Sequence, residues 1–190
     1  MRSYFEDQVS RSDRGEYGSL SPLVGVLRQV DLFHNIPRRN LVQIAEACRE
    51  QVYELGEMIM EENTAGRDLF VITDGAVEIL IDPRLLGLDS SQAQPVVIAT
   101  LWPGQTFGEI GLVDQGMRSA SARAAAEETR LQALNRAYLL QLCEEDHRFG
   151  YRLMRNIAGD LAFKIRNTDL MLRQRILWEY HPDEVENPFE

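Results

Sequence analysis

The sequence predicts an α+β fold: an antiparallel β-roll or jelly-roll barrel, flanked by N-terminal helices and one long C-terminal helix. Hydrophobic spacing is helical at both ends of the chain, whereas in the middle short apolar runs alternate evenly with turn residues. The chain has 190 residues, 44% of them hydrophobic, which is enough for one domain with a normal core. We therefore expect a closed run of strands with helices packed at one side.

Composition divides the chain into three parts. Residues 1–19 are polar and predict a flexible leader, and residues 179–190 form an acidic tail interrupted by proline. The predicted domain covers residues 20–178, with the β-roll at about 50–134 and the C-terminal helices at about 135–178.

Two short helices are predicted before the strands. The first opens with Ser21-Pro22, because proline is favoured in the first turn of a helix. The second has Asn40 as its expected N-cap and carries its apolar residues on one face from Leu41 onward.

Short strands are predicted from Val52 to the end of the roll. The pair Asp74-Gly75 lies between two apolar runs and is the strongest hairpin signal in the chain. The connection over residues 82–95 is long for a hairpin and is typical of a tolerated surface insertion, although such loops also serve as interaction surfaces.

The C-terminal part predicts a helix from Asn135 and a long helix from His147 to Tyr180. Its apolar positions step by threes and fours, with Thr168 as the polar interruption: Met154, Ile157, Leu161, Ile165, Leu172 and Ile176. This stripe is longer than one domain can cover, so we expect a homodimer through this helix.

Charge and cysteine content exclude several classes of function. The net charge of −10 argues against direct binding of nucleic acid, which needs a basic face. No signal peptide or apolar run of membrane-spanning length is present, so we expect a cytoplasmic protein.

Cys48 and Cys143 follow no metal-binding spacing and are predicted to be buried free thiols. Lys164 is the only lysine, so nearly all positive charge comes from arginine.

Residues 107–124, FGEIGLVDQGMRSASARA, contain the candidate site. Gly108 and Gly111 bracket Glu109, so backbone can approach a ligand closely, and GEIGL is long enough for one helical turn whose N–H groups favour an anion. Arg118, followed by small residues, suits a phosphate. A carboxylate would repel that phosphate, so we assign Glu109 to sugar hydroxyls. A phosphate site beside a sugar site indicates a nucleotide with one compact anionic group. The simpler alternative is a salt bridge between Glu109 and Arg118.

The order F-G-E-I-G-L, with eight residues between Glu109 and Arg118, then S-A-S-A resembles the phosphate-binding cassette of the cyclic nucleotide-binding domain family. The resemblance extends over about residues 22–175. Met117 replaces the proline that the family usually has before the arginine, and Asn63 stands where glycine is common.

The resemblance implies a role for each cassette residue. Arg118 would hold the equatorial oxygens of a cyclic phosphate, assisted by the Ser119 hydroxyl and the Ala120 amide. Glu109 would accept a hydrogen bond from the ribose 2′-hydroxyl. Further backbone contacts would come from Gly108 and Ile110.

The same resemblance implies a base-binding region. Ile79 and Ile98 fall where the family holds the base between strands, and the long helix would cover the base near residues 164–168. Asn167 and Thr168 are then candidates to contact the purine edge, with the alternative that Thr168 only specifies helix pairing.

The resemblance therefore implies a sensor of cAMP or cGMP, with cAMP favoured by the overall likeness to bacterial sensors. No catalytic residue, metal or cofactor is expected, and output is expected through an unidentified protein effector. No output module follows the long helix in this sequence, which predicts a stand-alone sensor. The alternatives are an interaction module with a degenerate pocket and a cupin-like metalloenzyme, which is less favoured because His34, His147 and His181 form no cluster.

Overall fold

A computed structural model of the chain describes residues 21–86, 94–114 and 116–180. The predicted leader, the tail beyond Tyr180 and the centre of the 82–95 connection lie outside the described residues. The described residues form an α+β fold of eight strands in two sheets with helices before and after them. The predicted fold class is confirmed.

The two predicted N-terminal helices are present. Helix α1 spans Ser21–Leu27 and α2 spans Arg38–Ala47, with a short 3₁₀ turn at Asp31–Phe33 between them. Leu32 and Phe33 of that turn are buried, which fixes the path between the two helices.

The predicted N-cap of α2 is wrong. Pro37, in an extended conformation, is the N-cap residue, and its carbonyl accepts hydrogen bonds from the N–H groups of Asn40 and Leu41. Proline at this position costs no helical hydrogen bond, so the helix starts two residues before Asn40. Asn40 is consequently buried inside the first turn.

The strands make two antiparallel sheets of four. One sheet has the order β1-β8-β3-β6 and the other the order β2-β7-β4-β5. The strands are β1 Arg49–Tyr53, β2 Met58–Met60, β3 Asp68–Asp74, β4 Val77–Ile81, β5 Val96–Leu101, β6 Thr106–Phe107, β7 Ser121–Ala124 and β8 Thr129–Asn135.

The expectation of a hairpin at Asp74-Gly75 is wrong. Strand β3 pairs with β8 and β6, whereas β4 pairs with β5 and β7, so the turn carries the chain from one sheet to the other. Gly75 has a φ of 79°, and a Cβ there would lie 2.8 Å from the Cα of Thr129. The glycine is needed because this turn passes close to Thr129, the first residue of β8.

The strand following Asp74-Gly75 forms a hairpin over the long connection instead. Strand β4 pairs with β5 across residues 82–95, and the register shifts between Ile79 and Leu80. Ile98 is the extra residue of this β-bulge, since Leu80 is opposite Val97 and Ile79 is opposite Ala99.

The core has two parts. One joins the helices to the helix-facing ends of β3 and β8, with Leu27, Phe33 and Phe149 among its largest buried side chains. The other fills the space between the sheets and includes Phe70 and Phe107, whose rings stack at 4.9 Å. The second part forms the floor beneath the candidate site.

Helices α3 (Ile110–Val113) and α4 (Arg136–Glu145) precede the long α5 (His147–Tyr180). The helix predicted from Asn135 is present, and Asn135 is its N-cap, because the Asn135 side chain accepts a hydrogen bond from the N–H of Ala137. Within the described residues, no helix combines the length and apolar character that crossing a bilayer requires.

The apolar stripe of α5 is covered by the domain over only its first half. Ile157 is buried, and Met154 and Leu161 are half-buried against the helical core. From Ile165 to Leu177 every side chain is exposed. The half of the stripe without cover is the part expected to meet another helix.

The two cysteines are free thiols, but half-buried rather than buried as predicted. Cys48 and Cys143 both lie at the border of the helical core. Burial raises the pKa of the Cys48 thiol to about 12, which keeps it protonated and unreactive at neutral pH.

Gly75→Ala should lower the free energy of unfolding by about 2–5 kcal/mol, because the new methyl group would meet Thr129 while the backbone remains left-handed. Gly56→Ala is the matched control, since Gly56 has a φ of 85° but open space around it, and should cost about 1–2 kcal/mol. Urea denaturation measures both. Equal losses would contradict the close contact between Gly75 and Thr129.

Candidate ligand-binding site

Glu109 lies between β6 and the single turn of α3, immediately after Gly108. Gly108 has a φ of 83°, which turns the chain sharply at the end of the strand. Glu109 is only 3% exposed, so its carboxylate points into the protein rather than to solvent. A buried carboxylate requires a charged or hydrogen-bonding partner.

That partner is Lys164 of α5. Its Nζ atom lies 2.7 Å from Oε1 of Glu109, 2.9 Å from Oδ2 of Asp160 and 3.3 Å from the carbonyl oxygen of Thr106. Burial alone would lower the pKa of Lys164, but Glu109 and Asp160 outweigh burial and raise the pKa above its usual value. The ammonium group is therefore charged at neutral pH and links α5 to the β-roll.

Arg118 is buried on the other side of Gly108. It is 6% exposed, and its Nη2 donates to the carbonyl of Asp68 at 2.7 Å while Nη1 donates to the carbonyl of Gly108 at 3.3 Å. The guanidinium carbon lies 5.7 Å from the centre of the Phe70 ring. Burial lowers the pKa of Arg118, partly offset by the negative charges of Asp68 and Glu109.

The backbone of Arg118 is fixed by the turn at residues 63–66. Its N–H donates to the carbonyl of Thr64 and its own carbonyl accepts from Asn63. Asn63 has a φ of 60°, a conformation that asparagine tolerates better than most residues. This geometry explains why asparagine can stand where the family commonly has glycine.

Two glycines make room for the guanidinium. A Cβ at Gly66 would overlap the Nε and Cζ atoms of Arg118, and a Cβ at Gly108 would lie 2.9 Å from the carbonyl oxygen of Asp68. At Gly111 a Cβ would make only ordinary contacts, at 3.7 Å from the carbonyl of Gly66. In this structure the backbone at Gly66 and Gly108 closely approaches the Arg118 side chain, and its approach to a ligand stays a prediction.

The other cassette residues surround this pair. Ala120 is buried, Ser119 is exposed beside Arg118, and Ile110 is 38% exposed at the start of α3. The alternative of a surface salt bridge is wrong, because Glu109 and Arg118 are both buried and each is held by other groups.

The residues predicted to contact a base are more dispersed. Ile79 is half-buried on β4 against the core between the sheets, and Ile98 is 38% exposed on the edge strand β5. Asn167 and Thr168 are exposed on α5, and the Thr168 hydroxyl donates to the carbonyl of Lys164 within its own helix. The structure therefore brings Gly108, Glu109 and Arg118 together and leaves the α5 pair facing solvent.

Sequence analysis missed Lys164 and Gly66 as site residues. Gly66 carries no signal in the sequence for this role, because its contact with Arg118 joins segments 52 positions apart, a distance no local pattern reports. Lys164 did carry a signal, since a chain that otherwise uses arginine keeps a single lysine on the helix expected to cover the site. In the described part of the chain, no group of three His, Cys, Asp or Glu side chains could hold a metal ion.

Known proteins resemble this chain in both sequence and fold. The family model of the cyclic nucleotide-binding domain matches residues 50–146, just over half of the chain. The cyclic AMP receptor protein of Thermus thermophilus is 33% identical over 141 residues, which are 74% of this chain and 60% of that protein. Human cGMP-dependent protein kinase 2 is 30% identical over 110 residues, which are 58% of this chain and 14% of the kinase.

A solved structure gives the same result for the fold. The crystal structure of Thermus thermophilus catabolite activator protein superposes with a TM-score of 0.63 at 30% identity, covering 78% of this chain and 64% of that one. The chain thus spans about 60% of the length of its bacterial relative and a small part of the kinase.

Gly66→Ala should displace the Arg118 guanidinium and leave the carbonyls of Asp68 and Gly108 without their donors. We expect a loss of about 1–3 kcal/mol in the free energy of unfolding and a shifted Nε–H signal of Arg118 in NMR spectra.

Gly111→Ala is the matched control. Its methyl group has room and alanine favours a helix, so stability should fall by no more than about 0.5 kcal/mol. An unmoved Arg118 signal in Gly66→Ala would contradict the described packing.

Proposed function

Because the chain belongs to the cyclic nucleotide-binding domain family, we propose that it is a sensor of one cyclic nucleotide, with cAMP as the first candidate and cGMP as the second. The observation that carries this proposal is the environment of Arg118. Within the described residues its hydrogen bonds go to two backbone carbonyls, so a buried cation lies in the cassette without a directly bonded carboxylate. A buried charge of this kind is costly unless an anion uses it.

The proposed ligand would use the two buried charges separately. Its cyclic phosphate would replace the two backbone carbonyls as the acceptor of hydrogen bonds from the Arg118 guanidinium. The exposed Ser119 hydroxyl and the Ala120 amide would be further donors to the phosphate. Its ribose 2′-hydroxyl would donate to Glu109, beside the backbone of Gly108 and Ile110.

The base would lie over the β-roll. Ile79 and Ile98 offer apolar surface on adjacent strands, and Asn167 and Thr168 of α5 supply exposed polar groups for a purine edge. Contact between those polar groups and the base requires α5 to approach the roll more closely than it does in this structure.

Such contacts support signalling affinity. A hydrogen bond to a charged group contributes about 1.5–3 kcal/mol, so two or three around the phosphate with the ribose contact and base burial reach about −8 kcal/mol, which is micromolar. Among relatives, the Thermus protein is named for cyclic AMP and the kinase for cGMP, so both nucleotides belong in the first assay.

The proposed output runs through α5. A ligand shifts a protein only by binding two conformations unequally, and α5 is the element whose contacts with the roll are few beyond Leu161. We propose a non-catalytic homodimer in the cytoplasm that passes the change to a protein effector. Its half-buried free thiols fit that reducing compartment.

A degenerate module is the second candidate, and the closed state of the site favours it. Glu109 and Arg118 are both almost fully buried and engaged by protein groups. Ligand-induced thermal stabilisation should follow RT ln(1 + [L]/Kd) for a sensor, and its absence with cAMP, cGMP and cyclic dinucleotides would favour the degenerate module.

Arg118→Ala should reduce cAMP affinity more than about 100-fold, below calorimetric detection, because the main phosphate contact is lost. Glu109→Ala should have the same outcome through the ribose contact. Arg130→Ala is the control: Arg130 pairs with Glu50 and Glu128 away from the cassette and its loss should leave affinity unchanged. Circular dichroism confirms folding, and wild-type affinity in either site variant would refute the assignment.

Leu172→Glu combined with Ile176→Glu should convert the proposed dimer to monomer, because both side chains are exposed on the uncovered stripe of α5. Analytical ultracentrifugation measures the change. Gln174→Glu adds a charge on the other side of the helix and should leave the dimer intact. A monomeric wild type would exclude this interface.

A further inference from the structure

We propose that Lys164 is a built-in competitor for the ribose-binding carboxylate: its ammonium group must leave Glu109 before the 2′-hydroxyl of a nucleotide can bind there, and its departure frees α5 to change its position on the β-roll. This inference rests on the proposed function. It makes Lys164 the residue through which ligand binding at Glu109 affects α5.

The ammonium group of Lys164 is held by three protein oxygens. Its Nζ donates hydrogen bonds to Oε1 of Glu109 and to the carbonyl of Thr106, and it forms an ion pair with Asp160. These oxygens come from the β6–α3 turn, α5 and β6, so the ammonium group is directed at the protein from three sides.

Access to Glu109 is closed while Lys164 is in place. The side chain of Glu109 is 4% exposed, whereas that of Lys164 is 35% exposed. The lysine therefore lies on the solvent side of the carboxylate and can retreat to water, as long flexible lysine side chains do. A hydroxyl arriving from solvent reaches the carboxylate only after this retreat.

The same contact anchors α5. The half-buried part of the helix ends near Leu161, and the exposed run begins at Ile165, so Lys164 lies at the border between them. Loss of the ion pair leaves residues 165–177 without their charged link to the roll. Ligand binding at the ribose site is thus coupled to freedom of the apolar surface on α5.

The competing interpretation makes Lys164 a direct ligand contact that holds the phosphate. The two interpretations predict opposite signs for one substitution. Removing a competitor strengthens binding, whereas removing a contact weakens it. The 2′-hydroxyl supplies a second discriminator, because a 2′-deoxy ligand has nothing to exchange for Lys164 at Glu109.

Calorimetry with cAMP and 2′-deoxy-cAMP tests the competitor. Lys164→Gln should bind cAMP about tenfold more tightly than wild type, the equivalent of one ion pair of about 1.4 kcal/mol, and should bind 2′-deoxy-cAMP as wild type does. Asp160→Asn, which removes a second anchor of the ammonium, should strengthen cAMP binding by about two- to threefold. Arg166→Gln is the control, since it removes the same charge from an exposed position of α5 and should change neither affinity.

The single lysine provides a readout without mutation. Protein labelled with ¹³C and ¹⁵N in lysine gives one side-chain signal, that of Lys164. The ε-methylene signal of wild type should move toward that of a free lysine on saturation with cAMP, as it does in Glu109→Gln without ligand. With 2′-deoxy-cAMP it should stay at the ligand-free position.

The outcomes separate this proposal from the proposed function. If neither wild type nor Lys164→Gln binds cAMP or cGMP, the sensor function fails and the competitor with it. If both bind and Lys164→Gln is no tighter, or is weaker, only the competitor is overturned. An equal gain for both ligands, or a lysine signal that ignores cAMP, also overturns it. Binding by Lys164→Gln alone would support it strongly.

Discussion

Burial of the Arg118 guanidinium is the constraint on which this end of the molecule depends. A cation at 6% exposure needs partners on several sides, and they come from separate segments: a carbonyl of β3, a carbonyl of the β6–α3 turn and the face of Phe70. Gly66 must lack a side chain for the group to fit. The left-handed turns at Asn63 and Gly108 follow from the same requirement, since they bring those backbones around one side chain.

The opposite charge is satisfied in a different way. Glu109 depends on one flexible side chain from a helix 55 residues later in the chain, and Lys164 itself remains partly exposed. Carbonyls of a sheet and a tight turn are fixed, whereas a lysine ammonium can move away into water at little cost in strain. Arg118 thus has rigid partners, whereas Glu109 has a movable one.

The elements of this fold were largely predictable because their signals are local. The limits of α5, the Asn135 cap and the even spacing of strands come from periodicity and capping residues within a few positions. The errors are of the opposite kind. Asp74-Gly75 has the sequence of a hairpin, but its strands join different sheets because β8, distant in sequence, pairs with β3. Pro37, and not Asn40, is the N-cap residue of α2, because the proline ring already fixes the backbone conformation that an N-cap residue needs.

The candidate site shows the same limit. Glu109 and Arg118 were found because their spacing lies within one continuous motif, and their burial was not, because it depends on Gly66, Asp68 and Lys164. These contacts join residues that are 50 or more positions apart in the sequence, so only the folded chain reveals them. Composition pointed to Lys164 as unusual but could not say which carboxylate it meets.

This division of partners orders the steps by which a nucleotide would bind. In the proposed complex, a phosphate at Arg118 would replace neutral carbonyls and break no ion pair. A ribose at Glu109 would have to displace a cation that also holds the helix. The phosphate would then supply affinity that is independent of conformation, whereas the sugar would supply the differential affinity without which no ligand shifts an equilibrium. An anion that fits Arg118 but carries no hydroxyl for Glu109 would occupy the site and leave α5 where it is.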